Sequence, residues 1–240
     1  MGQTIWKSLT VILLIYIFSM GLLGDVPRLD VLNETIRNLY FHVPLWFAMI
    51  LMLLVSCVIS IIHLVKSGKA SREELLKLDD RASSLAAVSV VFGLLGFATG
   101  MLWGQYTWGS LGSFLFQDPK TLGAMIGLLI YMAYFVLRGS MEDEMQAARI
   151  SAVYSVFAYG LMFFFIFVFP RIPGVPSIHP GAGGNPGFSA YDLDNGMRMI
   201  FYPAVIAYFM LGLWIAQLRI RLSAIDRMLN DRADTEMLHS

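Results

Sequence analysis

Six stretches of the chain stay apolar for the length of a membrane crossing: about 5–23 (broken near its start by Lys7), 43–65, 83–103, 121–137, 150–170 and 199–218. A helix needs roughly 17–25 apolar residues to cross the hydrocarbon layer, and a barrel strand about half that number. Lipid offers backbone N–H and C=O groups no partner, so a spanning segment must satisfy them within itself or in a closed barrel. These runs are about twice a strand's length, and they lack strict alternation. The pattern therefore predicts an all-α fold: an integral membrane bundle of six transmembrane helices, forming one domain over residues 1–240. No repeat at a fixed period is visible. The first run, from Lys7 to Ser19-Met20-Gly21, loosely resembles a cleavable signal. It lacks an A-x-A-like pair of small residues and is read as an uncleaved anchor.

Composition agrees with the pattern. Apolar types make up 57 % of the 240 residues, charged types 14 %, and mean hydropathy is +0.66. A soluble domain usually carries about 25 % charged residues, so a soluble enzyme and a disordered chain are both excluded. Lys+Arg and Asp+Glu number 17 each, which leaves no global basic field for nucleic acid. The single cysteine, Cys57, excludes an intramolecular disulfide, a CxxC redox pair and a multi-thiolate zinc site.

Positive charge sets the orientation. Lys7, the 66–82 loop, the 138–149 loop and the tail after 218 together hold 12 Lys and Arg residues. The other side holds 5: Arg28, Arg37, Lys120, Arg171 and Arg198. Both termini are thus expected in the cytoplasm, with 24–42, 104–120 and 171–198 facing outward. The 66–82 loop reads as a solvated helical connector. The 219–240 tail reads the same way, with an amphipathic stripe of Ile220, Leu222, Ile225, Met228 and Leu229. The outer segments are rich in aromatics, Gly and Pro, a composition expected to pack rather than float.

Of the four histidines, His239 lies in the polar tail and His63 at the cytoplasmic end of the second span. His42 precedes that span on the outer side, and His179 sits in the outer 171–198 loop. His42 and His63 are separated by roughly 31 Å of helix and cannot share a ligand. His42 and His179 share a side and can converge. Each has a proline within two residues, Pro44 and Pro180, which stiffens the chain. Two neutral imidazoles can hold a haem iron from opposite faces. Copper or zinc sites normally want a third or fourth ligand. A single interfacial histidine, by contrast, commonly bonds a headgroup or a carbonyl.

The outer Trp103-Gly104-Gln105-Tyr106-Thr107-Trp108-Gly109 stretch, with Phe114, Phe116 and Asp118-Pro119-Lys120 after it, interleaves rings with glycines. Interfacial aromatic belts are common, but a belt needs no glycine. Glycine lets a backbone lie flat against a partner and rings offer faces for stacking, so a large planar ligand, porphyrin or quinone, suits the segment. Arg37, five residues before His42, could clamp a haem propionate with two parallel hydrogen bonds, or it could reach lipid phosphate.

At these residues the sequence resembles the CcmC family, haem-handling membrane proteins of cytochrome c maturation, within the wider CcmC/CcmF/CcsA group. Arg37-x-x-Tyr40-x-His42-Val43-Pro44 matches the family's first histidine motif, the outer 103–120 segment its tryptophan-rich position, and His179 its second histidine. The tryptophan-rich signature is altered: Phe114, Phe116 and Gln117 occupy the positions before Asp118, and the acidic–x–basic ending survives as Asp118-Pro119-Lys120.

The resemblance implies a bacterial cytoplasmic (inner) membrane protein that presents non-covalent b-type haem on its outer face. His42 and His179 would be the axial metal ligands. Trp103, Trp108, Phe114, Phe116, Arg37, Asp118 and Lys120 would form the cradle. It also implies delivery to a CcmE-type haem chaperone, alongside a CcmA/CcmB-type exporter and a small CcmD-type subunit. No GxxxxGK[ST] occurs, so any ATP use belongs to partners. The expectation is a binding and transfer protein rather than an enzyme. The alternatives are a ligase-type component that attaches haem to apocytochrome, an electron-transfer subunit, which would want histidine pairs inside its spans, and an unrelated six-helix transporter, which would want intramembrane charges.

Overall fold

The computed structural model describes residues 2–28, 31–109, 115–175, 177, 179 and 193–239, with side chains from Thr4 to Leu229. Regular structure there is helical throughout. Helix α1 spans Gly2–Leu23. A 3₁₀ turn, Asn33–Asn38, runs without a break into α2, Leu39–Lys66. Helix α3 is Arg72–Trp108 and α4 is Pro119–Gly139. Helix α5, Glu144–Phe163, widens into a π turn over Phe164–Val168 and closes as a 3₁₀ turn, Phe169–Arg171. Helix α6 is Asn195–His239. Six helices are long and apolar enough to cross a membrane, as the hydrophobic pattern predicts. Six passes return both chain ends to the same end of the bundle and leave His42 at the other.

The helices outrun the apolar runs. The 66–82 stretch is not a separate connector: Ser71 caps α3 by accepting from Glu74 N at 3.2 Å, with Glu73 and Glu74 in the first turn where the helix dipole favours acids. At the far end α3 continues through Trp103–Trp108 and stops at Gly109, whose φ of 69° is the left-handed conformation that ends helices. The tryptophans therefore stand on a helix, not on a free outer loop. The tail expected as a separate stripe simply prolongs α6.

Helix α2 is the hub, packed along α3, α5 and α6, while α1 lies outside against α6. Pro203 inside α6 has no N–H and so releases the carbonyl of Met199. Tyr16 of α1 donates to that carbonyl at 3.2 Å. At the end with the termini, Asp79 and Asp80 of α3 are both buried. Arg138 of α4 grips Asp79 through two bonds, one at 2.7 Å, and Arg227 of α6 grips Asp80 at 2.8 and 3.0 Å. Two neighbouring carboxylates in one helix thereby tie down two other helices. The reading of this stretch as a plain solvated face is corrected, because a mixed-charge segment does not show which of its charges will be enclosed.

Candidate functional site

His42 sits near the start of α2 and is 6 % exposed. Its Nδ1 lies 2.8 Å from the carbonyl of Gly96 on α3. A carbonyl only accepts, so Nδ1 carries the hydrogen and Nε2 keeps its lone pair. The ring lies on the backbone of α3: a Cβ at Gly100 would come within 2.5 Å of the His42 Cε1. Trp46 and Trp103 stand edge-on to the imidazole, with centroids at 6.5 and 6.1 Å. The Trp103 indole N–H donates to Thr35 Oγ1 at 3.1 Å, and Asn38 Nδ2 to the Thr99 carbonyl at 3.1 Å, fastening the 3₁₀ turn to α3. The helix, the glycine seat, the carbonyl and two indoles thus fix one ring.

His179 faces it from the loop after α5. The two imidazole centroids are 6.3 Å apart, with planes inclined at 42°. Asp118, 3 % exposed, caps α4: its Oδ2 accepts from the Thr121 N–H and hydroxyl, both at 2.9 Å. Its Oδ1 accepts from Ser177 Oγ at 2.6 Å. Ser177 Oγ in turn accepts from the His179 backbone N–H at 3.2 Å. His179 Nδ1 faces the same carboxylate at 3.8 Å, which is beyond hydrogen-bond range. Burial, with the Lys120 charge and His42 nearby, holds the His179 imidazole well below its ordinary value of 6.5. It stays in the neutral form that can ligate a metal.

Both rings open onto a cleft of about 1190 Å³, counting its mouth. Val43, Trp46, Phe47 and Ile50 line it from one stripe of α2, and Phe97, Gly100, Met101, Gly104 and Trp108 from one stripe of α3. Thr121 and Ala124 of α4 and Ile166 and Phe167 of the π turn close it. Gly123 lets α4 approach so closely that a Cβ there would meet the Phe165 carbonyl oxygen at 2.1 Å. Lys120 and Arg171 supply the cations of the wall, and Arg171 Nη1 donates to Phe167 O at 2.7 Å.

The sequence-based candidates therefore divide. His42, His179, Trp103, Trp108 and Lys120 meet at the cleft. Asp118 lies beneath His179 rather than in the wall. Arg37 is turned away: it bonds Glu34 Oε2 at 2.8 Å, the Gly21 carbonyl at 3.3 Å and the Gly24 carbonyl, so it caps the end of α1. Phe116 is 66 % exposed and lies outside the cleft lining. Phe114 and most of the Gly/Pro-rich loop fall outside the described residues. Trp46, Phe47, Phe97 and Phe167 are wall residues that the motif reading did not single out. The 43/46/47/50 spacing was the available signal, but a core stripe has the same spacing.

Among the described residues, no cluster of three or more His, Cys, Asp and Glu side chains could surround a metal ion. What the site offers is two facing imidazoles and an aromatic, largely apolar slot. A model of the heme exporter protein C (CcmC) family matches residues 3–233, almost the whole chain. The chain belongs to the heme exporter protein C family. Among curated relatives, Heme exporter protein C of Paracoccus denitrificans (strain Pd 1222) is 30 % identical over 121 residues, covering 50 % of this chain and 46 % of that protein. Heme exporter protein C of Bradyrhizobium diazoefficiens is 28 % identical over 122 residues, covering 50 % and 42 %. The match thus spans less than half the length of either relative. Membership in the CcmC family agrees with the expectation drawn from the His42 motif, and the membrane bundle agrees with the six apolar runs.

Proposed function

We propose that this CcmC-family protein binds haem as cargo between His42 and His179 on the outer face of the bacterial inner membrane and hands it on during cytochrome c maturation. The observation that carries the reading is the facing imidazole pair. A metal–nitrogen bond of about 2 Å on each side puts two axial rings roughly 6 Å apart, centre to centre. The centroids of the pair stand 6.3 Å apart. With only two protein donors, the in-plane positions fall to the cargo's own nitrogens, which suits a porphyrin and not a bare zinc or copper ion.

The walls support the same reading. Trp46, Trp103, Trp108 and Phe97 offer faces and edges to a conjugated disc, and the apolar depth of the cleft would bury its methyl and vinyl edge. Lys120 and Arg171 are the wall's cations and would face the two propionates. Arg37, engaged with the end of α1, is set aside from that role. Cys57 lies 15 residues along α2 from His42, about 22 Å of helix, a separation that argues against a thioether and supports haem held as b-type. The 12-to-5 excess of Lys and Arg at the end with the termini supports a site on the outer side. A site at the bundle's end is open to an acceptor, which fits a carrier rather than a catalyst. The acceptor is of CcmE type, with CcmA/CcmB-type and CcmD-type proteins as companions.

The test is the absorption spectrum of the detergent-extracted protein. A Soret band is expected, weakened or shifted by His42→Ala or His179→Ala. An unchanged spectrum in the double variant would refute the ligand assignment. Co-purification with a haem chaperone is the expected partner result.

A further inference from the structure

Lys7 interrupts the first apolar run, at the end of the bundle with the termini. At that end Lys66, Arg72, Lys77, Arg138 and Arg227 each face a carboxylate. The Lys7 ammonium instead lies over two indoles, 5.8 Å from the ring centroid of Trp6 and 5.2 Å from that of Trp214 on α6. The two rings meet edge to face, with centroids 6.2 Å apart. A ring face attracts a cation, but an indole offers its N–H only as a donor, and an ammonium has three N–H groups to place. Among the described residues no oxygen accepts a hydrogen bond from it. An open groove of about 920 Å³, counting its mouth, runs beside this ammonium. Thr4, Lys7, Ser8, Val11 and Ile12 line it from α1, and Trp214 lines it from α6. Positions 4, 7, 8 and 11 share one helix face, with neighbouring Cβ atoms about 5–6 Å apart. One end of the groove is thus polar, with two hydroxyls around an ammonium, and the other is apolar. Helix side chains lean toward the N-terminus, so Lys7 reaches toward the headgroup layer, the level at which tryptophans also collect. Beside the groove α1 exposes Ile5, Leu9 and Ile15, a surface suited to hydrocarbon.

We propose that this groove is a binding site for one anionic phospholipid of the leaflet nearer the chain termini. Its phosphate oxygens accept from the Lys7 ammonium and from the Thr4 and Ser8 hydroxyls, and an acyl chain follows Val11 and Ile12 against Trp214. A lipid is the occupant because the two ends of the groove differ as the two ends of a lipid do. A soluble phosphate would satisfy the ammonium and leave Val11 and Ile12 uncovered. A plain hydrocarbon chain would cover them and leave the ammonium without an acceptor. Charge selects the headgroup. The described lining carries a cation and no carboxylate, and exposed Arg219 follows Trp214 by five residues along α6, on the terminal side. Net negative lipid is drawn to such a field, and a zwitterionic headgroup would bring its own ammonium into it. The lipid also has a structural task. Helix α1 lies outside the bundle, against α6. Arg37 holds its far end through the Gly21 and Gly24 carbonyls, and Tyr16 holds its middle through the Met199 carbonyl. Near its start it meets α6 through the Trp6–Trp214 pair, and a lipid seated in the groove braces that joint.

The experiment uses the full-length protein, stripped of lipid in detergent. It is titrated with phosphatidylglycerol, with phosphatidylcholine of the same chains and with glycerol 3-phosphate, and binding is read by native mass spectrometry. Phosphatidylglycerol is expected to bind about fivefold more tightly than phosphatidylcholine, the worth of one lysine at an anionic surface, and glycerol 3-phosphate to leave no adduct. Lys7→Gln should abolish the preference and Lys7→Arg should keep it. Phosphatidylglycerol brominated on its chains should quench tryptophan fluorescence in the parent, and quench it less in Trp214→Phe. Hydrogen exchange over residues 4–12 should slow when phosphatidylglycerol is added to the parent, and stay unchanged when it is added to Lys7→Gln. Equal affinity for the two lipids, or a preference that survives Lys7→Gln, would overturn the site. Glycerol 3-phosphate binding as tightly as phosphatidylglycerol would overturn the choice of a lipid. If Lys7→Gln inserts poorly, the quenching comparison decides alone, since equal quenching in the parent and Trp214→Phe would put the lipid elsewhere. The haem spectrum should be the same in all these variants, which separates this test from that of the two histidines.

Discussion

At the scale of single residues, the seat of His42 is the most demanding feature. A Cβ at Gly100 would lie 2.5 Å from the imidazole, far inside van der Waals contact. Gly100→Val should therefore push the ring out of the slot and lower haem occupancy to the level of His42→Ala. It should also cost about 1–3 kcal/mol of stability from overpacking. Soret absorbance and a thermal melt read the two effects separately. Arg37 and Arg171 make a second contrast. Arg37→Ala removes the cap from α1 and should lower the melting temperature, at about 1 kcal/mol, with the haem spectrum unchanged. Arg171→Ala should weaken haem retention. The reverse pattern would return Arg37 to the propionates. His179 also sets a pH dependence. On the proposed ligation a proton would compete with iron for its lone pair, and burial depresses its proton affinity well below an ordinary 6.5. Haem occupancy should thus hold level as pH falls to about 6.5 and drop only in more acid solution; a loss beginning above neutrality would contradict this.

At the scale of elements, the lesson is how helices outlast their apolar stretches. Ser71, Asp118 and Asp143 cap α3, α4 and α5 by accepting from the backbone N–H three residues on. The paired acids Asp79 and Asp80 were not legible, because only packing shows that both are enclosed. Each is matched to an arginine from a different helix. Arg138→Ala leaves the Asp79 carboxylate, 5 % exposed, without its partner. Breaking a buried pair costs roughly 3–5 kcal/mol, less where one partner is a quarter exposed as Arg138 is. A clear fall in melting temperature is expected, larger than for Lys77→Ala, whose ion pair with Glu73 is exposed. The combined Asp79→Asn, Arg138→Gln variant should lose less than the two single changes added together.

At the scale of the whole molecule, six crossings place the site and the chain termini at opposite ends. In a Cys57→Ser background, a cysteine at Glu34 should react with a membrane-impermeant maleimide added to intact cells, and one at Glu73 only after permeabilisation. The opposite result would invert the protein in the membrane and move the site to the cytoplasmic side.

Much of this was written in the chain. Helix number and class follow from segment length, because lipid forbids unpaired backbone and a helix of given rise must carry about 20 apolar residues to cross it. The His42 motif carried the family, and His179 was nameable as the one other histidine on its side. What the chain could not carry is distance. Whether two rings 137 residues apart in sequence stand 6.3 Å apart, whether Arg37 turns toward the slot or toward α1, and whether Asp118 lines a wall or holds a loop through Ser177 all depend on how helices pack. Packing is settled by close approaches such as Gly100 and Gly123, and a one-dimensional pattern of apolar and polar positions holds no record of them.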